Sequence, residues 1–208
     1  MTQPGQSDYF ANHEKARRFP WTLYHRPLEK DLARFLADVS GTVLVVGCGL
    51  LHELDVAPAG VKFVVADVDP RAVEAVLARA DPRIVEGLVV APEEALEFSH
   101  AFDAIYAKEV VEHVRAWPGW LAGLRRSLVP GGRLWLSTPN YGEPWLPALE
   151  STVLELVARR DGFTRRDIHP TRFSRRSLER GLVAAGFHDV EVSVIPTRLA
   201  ITAWATAP

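Results

Sequence analysis

The run Thr42-Val43-Leu44-Val45-Val46, followed at once by Gly47-Cys48-Gly49, constrains this chain more than any other segment. Four of its five residues are β-branched and polar positions do not alternate through it, which marks a strand buried between two helix layers. Glycines directly after such a strand let the backbone turn tightly and pass close to a ligand. Residues from about Leu50 to Val56 are predicted as a short helix whose N-terminus presents free N–H groups to the same spot.

The same alternation recurs along the chain. A second strand, Lys62–Ala66, stops at Asp67, and Pro70 opens a helix through Arg79, where a first-turn proline loses nothing. A short strand at Arg83–Val85, a strand at Ala101–Ala107, a helix at Trp117–Leu128 and a strand at Arg133–Thr138 follow, with Pro130-Gly131-Gly132 as the stop between the last two. Ahead of them all, Leu28, Leu32, Phe35, Leu36 and Val39 carry a helical spacing closed by Gly41. Strand–helix alternation with short loops implies a doubly wound α/β fold on a mostly parallel sheet.

The pattern changes after Pro139. Residues 140–170 are too many for a plain connection and are expected to form a cap insertion, with an amphipathic helix near Ala148–Arg160. Ser174 has the character of an N-cap for a last helix that Gly186 ends. Strands at Asp189–Ile195 and Arg198–Ala205 are joined only by Pro196-Thr197, which permits a hairpin and no parallel crossover. The expected organisation is one domain over residues 1–208, with residues 1–27 as an N-terminal arm or lid.

The chemistry begins with Asp67, twenty residues past Gly47 at the end of the second strand, where a carboxylate can accept both hydroxyls of a ribose. With Gly47, Cys48 and Gly49 it indicates an adenosine cofactor. The plainer alternative makes Asp67 a cap on the next helix. His52 stands where a dinucleotide fingerprint needs Gly or Ala, and no G-K-[ST] follows to make a phosphate loop. Cys48 reads as a small residue that fits the turn, without reactivity.

Two longer stretches, Phe102-Asp103-Ala104-Ile105-Tyr106-Ala107-Lys108-Glu109-Val110-Val111-Glu112-His113-Val114 and Leu128-Val129-Pro130-Gly131-Gly132-Arg133-Leu134-Trp135-Leu136-Ser137-Thr138-Pro139-Asn140, resemble class I, Rossmann-like S-adenosylmethionine-dependent methyltransferases. They are most similar to the small-molecule branch typified by ubiquinone-biosynthesis O-methyltransferases. The likeness runs from about Val43 to Gly186 and includes His169, Arg172-Phe173-Ser174 and Ala185-Gly186-Phe187. It implies a seven-stranded sheet whose last strand is antiparallel, S-adenosyl-L-methionine as cofactor, and a small-molecule methyl acceptor, with O-methylation expected. The cofactor set it implies is Gly47, Cys48, Gly49, Asp67, Val68, Glu93, Lys108 and Glu109. Three positions depart from the family: Val45 replaces an acid, Leu51 a third glycine, and Ala91-Pro92-Glu93-Glu94 the stretch bearing an adenine-contacting Asp, for which Glu93 is the substitute.

His113 is the expected catalytic base, since an unperturbed imidazole titrates near ~6.5; capping the next helix or ordering the loop is its alternative role. Glu109 and Glu112 flank it and would orient it or, with it, chelate a divalent ion; no metal is expected. Lys108 is expected to remain solvated. Aromatic side chains at Phe19, Trp21, Tyr24, Tyr141 and Trp145 would wall an acceptor or pack cap against sheet, and His169 and Arg172 are further acceptor-site candidates. Trp117, Trp120, Trp135 and Trp204 follow element spacing and are assigned to packing. From Arg159 to Arg180 eight arginines face three acids, a run that suits a carboxylate or phosphate, an RNA or lipid headgroup, or a solvated helix face.

A net charge of −2 gives no global pull toward DNA or anionic membranes, and one cysteine excludes an internal disulfide and a cysteine-based zinc cluster. The first residues show no secretory pattern and no run has the apolar length of a membrane span, so a cytoplasmic protein is expected. Oligomeric state is open at this level.

Overall fold

The computed structural model of the protein describes residues 22–91, 98, 101–149 and 169–208. Its elements in chain order are α1 (Thr22–Ala37), β1 (Thr42–Val46), a 3-10 turn (His52–Asp55), β2 (Lys62–Asp67), α2 (Pro70–Leu77) and β3 (Ile84–Val89). They continue with β4 (Phe102–Lys108), a second 3-10 turn (Val111–His113), α3 (Trp117–Arg126), β5 (Leu128–Pro139), α4 (Trp145–Leu149), α5 (Arg175–Ala184), β6 (His188–Val194) and β7 (Ala200–Thr206).

The seven strands form one sheet in the order β3-β2-β1-β4-β5-β7-β6. β1 pairs in parallel with β2 and β4, while β7 lies antiparallel to both β5 and β6. The short link that forbade a crossover therefore does close a hairpin, and β7 alone runs against the rest.

Side-chain alternation along each strand divides the core in two. Val43, Val45, Phe63, Val65, Ala104, Tyr106 and Trp135 meet Leu32, Phe35 and Leu36 of α1 and Val73 and Val76 of α2. Leu44, Val46, Val64, Ala66, Ile105, Ala107, Leu134 and Leu136 meet Trp120, Leu121 and Leu124 of α3 and Leu178 and Leu182 of α5. Each fully buried leucine here contributes roughly 1.5–3 kcal/mol of transfer free energy. Trp135 and Trp204, neighbours on β5 and β7, both donate their indole N–H to one oxygen of Asp31 on α1, at 2.9 and 3.0 Å. That carboxylate fixes α1 against the sheet at the two strands where the direction reverses.

Several boundaries differ from the sequence reading. The first helix begins at Thr22, one turn and more ahead of the first apolar position, and carries Pro27 within it. The expected helix after Gly49 is only the 3-10 turn His52–Asp55, entered through Leu51 in a left-handed conformation (φ 47°). The strand at 83–85 extends through Val89 and the strand at 133–138 begins at Leu128. After β5, α4 is the short Trp145–Leu149, and most of the helix expected near Ala148–Arg160 lies outside the described residues, as do Phe19, Trp21 and Glu93. Ser174 caps α5 as expected, its hydroxyl accepting from the N–H of Ser177, and Gly186 ends the segment at φ 92°.

Candidate active site

The strand order brings the C-terminal ends of β1 and β4 side by side, the point at which an open α/β sheet forms a crevice. On one side of it lies the glycine corner. Gly47 and Cys48 both donate backbone N–H groups to the carbonyl of Ala66, at 2.8 and 3.2 Å, which ties the corner to the end of β2. Gly47 has φ 71°, and a Cβ there would stand 2.5 Å from Val110 Cγ2, so no side chain fits.

Asp67 faces this corner. One carboxylate oxygen accepts the Gly49 N–H and the other accepts the Asp69 N–H, each at 3.0 Å. The helix-capping role falls to Asp69 instead, whose carboxylate accepts the Arg71 N–H at the start of α2. Asp67 is thus built into the loop and still has lone pairs to offer, because a carboxylate has about four acceptor sites. Val68, next to it, is 54% exposed.

The corner's other residues turn inward. Leu51 is buried in the core cluster that also holds Cys48, Leu54, Val65 and Ala72. Cys48 is buried as well, and burial together with the Asp67 carboxylate pushes its thiol up to about 12. It stays protonated, in keeping with a packing residue.

Lys108 departs from expectation. It is not solvated: its Nζ donates to Glu53 Oε1 in an ion pair whose side chains are 23% and 8% exposed. Burial alone would raise the Glu53 carboxyl, but the Lys108 charge and hydrogen bond outweigh it and hold the group below the usual carboxylate range. Glu53 was invisible as a site residue in the sequence, where it looked like one acid of a short helix.

Across the crevice, β4 ends in a left-handed residue, Glu109 (φ 59°). Its carboxylate sits in a clamp: Ser137 Oγ donates to one oxygen at 2.9 Å, and the Tyr24 hydroxyl of α1 donates to the other. Burial, then the Glu109 charge, raises the Tyr24 phenol well above its ordinary range. Glu112 is fully buried, with Oε1 4.0 Å from His113 Nε2, a charge contact longer than a hydrogen bond.

The segment from His169 to Arg172 adds further contacts. His169 packs edge-on against His113 with ring centres 5.1 Å apart, and its Nδ1 is 2.7 Å from the Tyr141 hydroxyl. Arg172 lies over the Tyr141 ring at 5.0 Å. Thr171 anchors this segment, its N–H reaching the Glu112 carbonyl and its hydroxyl the Val114 carbonyl. Ligand atoms of Glu112, His113 and His169 all lie within 4.8 Å of one another. The trio that the sequence suggested for chelation thus exchanges Glu109 for His169. Of the expected acceptor residues, His169 meets His113, Tyr141 meets His169, Arg172 lies over Tyr141, Tyr24 sits against Glu109, and Trp145 belongs to α4.

A family model described as methyltransferase domain matches residues 20–192. No curated protein matches the chain significantly. Among solved structures, a chain from the complex between the Haloferax volcanii Trm112 methyltransferase activator and a methyltransferase aligns with TM-score 0.73 at 18% identity, covering 98% of this chain and 99% of that one. The N-methyltransferase NodS from Bradyrhizobium japonicum, in complex with S-adenosyl-L-homocysteine, aligns with TM-score 0.66 at 16% identity over 97% and 99%. Magnesium protoporphyrin IX methyltransferase from Synechocystis, with S-adenosyl-L-homocysteine bound, aligns with TM-score 0.66 at 16% identity over 92% and 88%. At these identities the likeness is one of fold.

Proposed function

The chain belongs to the methyltransferase domain family, and from that premise we propose that it transfers a methyl group from S-adenosyl-L-methionine to the hydroxyl of a small molecule. The observation that carries this reading is Asp67, held by two backbone N–H groups opposite a corner whose first glycine, Gly47, admits no side chain. Such a carboxylate suits the two hydroxyls of a ribose, and Gly47, Cys48 and Gly49 allow backbone to approach the sugar closely. Val68 offers an exposed apolar surface to the adenine, with Glu93 assigned to the adenine amino group. Lys108 and Glu109, at the end of β4, border the sulfonium end.

When bound, the cofactor supplies a methyl group already activated on sulfur. The chain's own part is to hold the acceptor in line, exclude water and remove a proton. His113 takes the acceptor's hydroxyl proton while Glu112, buried behind it, orients the ring and stabilises its charged form. Tyr24, Tyr141, His169 and Arg172 line the acceptor's place, with Trp21 and Trp145 assigned to the same wall. This reading needs no metal and places one domain across residues 1–208, with the arm at 1–27 and cap at 140–170 closing over the crevice. No helix among the described residues is long and apolar enough to cross a membrane, and we assign the protein to the cytoplasm and to the ubiquinone-type O-methyltransferase branch.

A second reading makes the chain a partner-dependent or non-catalytic cofactor binder. It draws on the neighbour solved with an activator protein, and on β3, the outer strand at one side of the described sheet, which leaves Val85 and Val89 exposed. Calorimetry with S-adenosyl-L-methionine, S-adenosyl-L-homocysteine and NAD separates the cases. Heat with both sulfur compounds and none with NAD is expected. A folded protein silent to both sulfur compounds overturns the first reading, and binding without methyl transfer to any metabolite fraction favours the second.

A further inference from the structure

The loop that follows the glycine corner carries a leucine where the backbone runs left-handed. Leu51 stands at φ 47° and ψ 52°, a conformation that glycine takes freely and a residue with a Cβ takes at a cost. The turn also changes which carbonyls are satisfied. In a regular helix the Leu54 N–H would reach back four residues to the Leu50 carbonyl; here it bonds Leu51 instead, at 3.2 Å, and leaves the Leu50 carbonyl to another donor. That donor is a single side chain from outside the loop.

Arg79 follows the end of α2, 28 residues beyond Leu51. Its Nη1 donates to the Leu51 carbonyl at 2.8 Å and to the Leu50 carbonyl at 3.3 Å, while its Nη2 donates to Asp55 Oδ1 at 2.7 Å. The opposite end of α2 is tied to the same loop. Asp69 caps that helix and its N–H is bonded to Asp67, whose other oxygen accepts the Gly49 N–H. α2 is thus a rod that grips residues 49–55 from both of its ends, through Asp67 at Gly49 and through Arg79 at Leu50, Leu51 and Asp55. The ion pair in this grip, with side chains 32% and 67% exposed, contributes little by itself. The carbonyl contacts set Arg79 apart, because only a planar guanidinium makes them and the carboxylate contact at once; a lysine ammonium is a point charge without the fork.

We propose that Arg79 is a positioning residue for the donor site: its fork holds the left-handed Leu51 turn, and with it the glycine corner, in the shape that admits the donor. The inference rests on the donor assigned above and concerns the free loop, since Arg79 acts through Leu50 and Leu51 and not on the ligand. Without the fork the loop spreads over other conformations, and the apparent Kd rises in inverse proportion to the fraction still competent to bind.

Calorimetry with S-adenosyl-L-homocysteine provides the test. Arg79→Met should weaken binding about tenfold, the result of about a tenth of the folded molecules keeping the competent loop, and Arg79→Lys should lose less. In stopped-flow the loss should fall on the association rate, with dissociation within about twofold of wild type, because the bound loop is the same in both. Asp55→Asn, which removes the ion pair and leaves the carbonyl contacts, should keep wild-type affinity. In a Leu51→Gly background, where glycine takes the turn unaided, Arg79→Met should cost no more than about twofold. Unchanged affinity in folded Arg79→Met overturns the proposal. So does a loss carried by faster dissociation, a loss as large in Asp55→Asn, or an undiminished loss in the Leu51→Gly background. If neither Arg79 variant folds, the residue is a general structural one and the proposal fails as well. A wild type that binds no S-adenosyl-L-homocysteine instead refutes the donor assignment itself.

Discussion

Replacing Asp67 by alanine should weaken S-adenosyl-L-homocysteine binding by roughly 1–3 kcal/mol, the net worth of charge-assisted hydrogen bonds in a partly exposed site. At 1.4 kcal/mol per tenfold this is about five- to 150-fold in Kd. The range follows from the geometry: each carboxylate oxygen already accepts one backbone N–H at 3.0 Å, from Gly49 and Asp69, leaving about one lone pair apiece for a ribose hydroxyl. The same substitution frees those two N–H groups, so a fall in unfolding free energy of about 1 kcal/mol should accompany it. Asp67→Asn retains an acceptor and should lie between the two. Calorimetry at 25 °C, with urea unfolding as the control for folding, supplies both numbers. A 2′-deoxyribose analogue of the ligand makes the test specific: wild type should discriminate against it, and Asp67→Ala should not. Unchanged affinity for the parent ligand, or equal discrimination in the variant, would refute the ribose assignment.

Three further outcomes follow from the site and its floor. His113→Ala should lower turnover on a hydroxyl acceptor about 10²–10⁴-fold while leaving S-adenosyl-L-homocysteine affinity within twofold; the opposite pattern in steady-state kinetics and calorimetry demotes it to a loop-ordering residue. Leu51→Gly removes the strain of a left-handed leucine, about 1–2 kcal/mol, but forfeits a fully buried side chain worth about 2–5 kcal/mol. A net destabilisation of roughly 1–3 kcal/mol in urea unfolding is expected, and a stabilised variant would contradict the packing described. Because the Cys48 thiol is pushed up to about 12, it ionises first in the unfolded chain. Its contribution is therefore complete below the ordinary thiol range and is lost as pH rises toward 12. Wild type should lose roughly 1.5–2 kcal/mol more than Cys48→Ala between pH 8 and pH 10, and identical losses would disprove the shift.

Much of the sheet was legible because its strands are buried on both faces and so appear as unbroken apolar runs, and because Pro196-Thr197 cannot span a crossover. The glycine corner and Asp67 were legible for a related reason, since one strand's end and the next strand's end lie a fixed distance apart in such a fold. Contacts between distant elements were not. Asp31 receives hydrogen bonds from Trp135 and Trp204, 104 and 173 residues away, and nothing in its local sequence differs from any helical acid. Lys108 and Glu53 are 55 residues apart, so a lysine at a strand's end looked solvated until its partner came into view. The helix after Gly49 failed for a local reason, because Leu51 takes a left-handed turn that interrupts regular helical geometry. The partners of Glu109 were hidden as those of Asp31 and Lys108 were, since Tyr24 and Ser137 lie on distant elements.

The antiparallel strand has a consequence for biosynthesis. β7 threads between β5 and β6, yet it is the last of the three to be made. Until residues 200–206 emerge, β6 has no neighbour to dock on and the flank of β5 lies open, a sticky rim on a half-finished domain. Vulnerability to misassembly during translation is thus concentrated in the interval between the completion of β6 and the emergence of residues 200–206, when the chain is in its most aggregation-prone form.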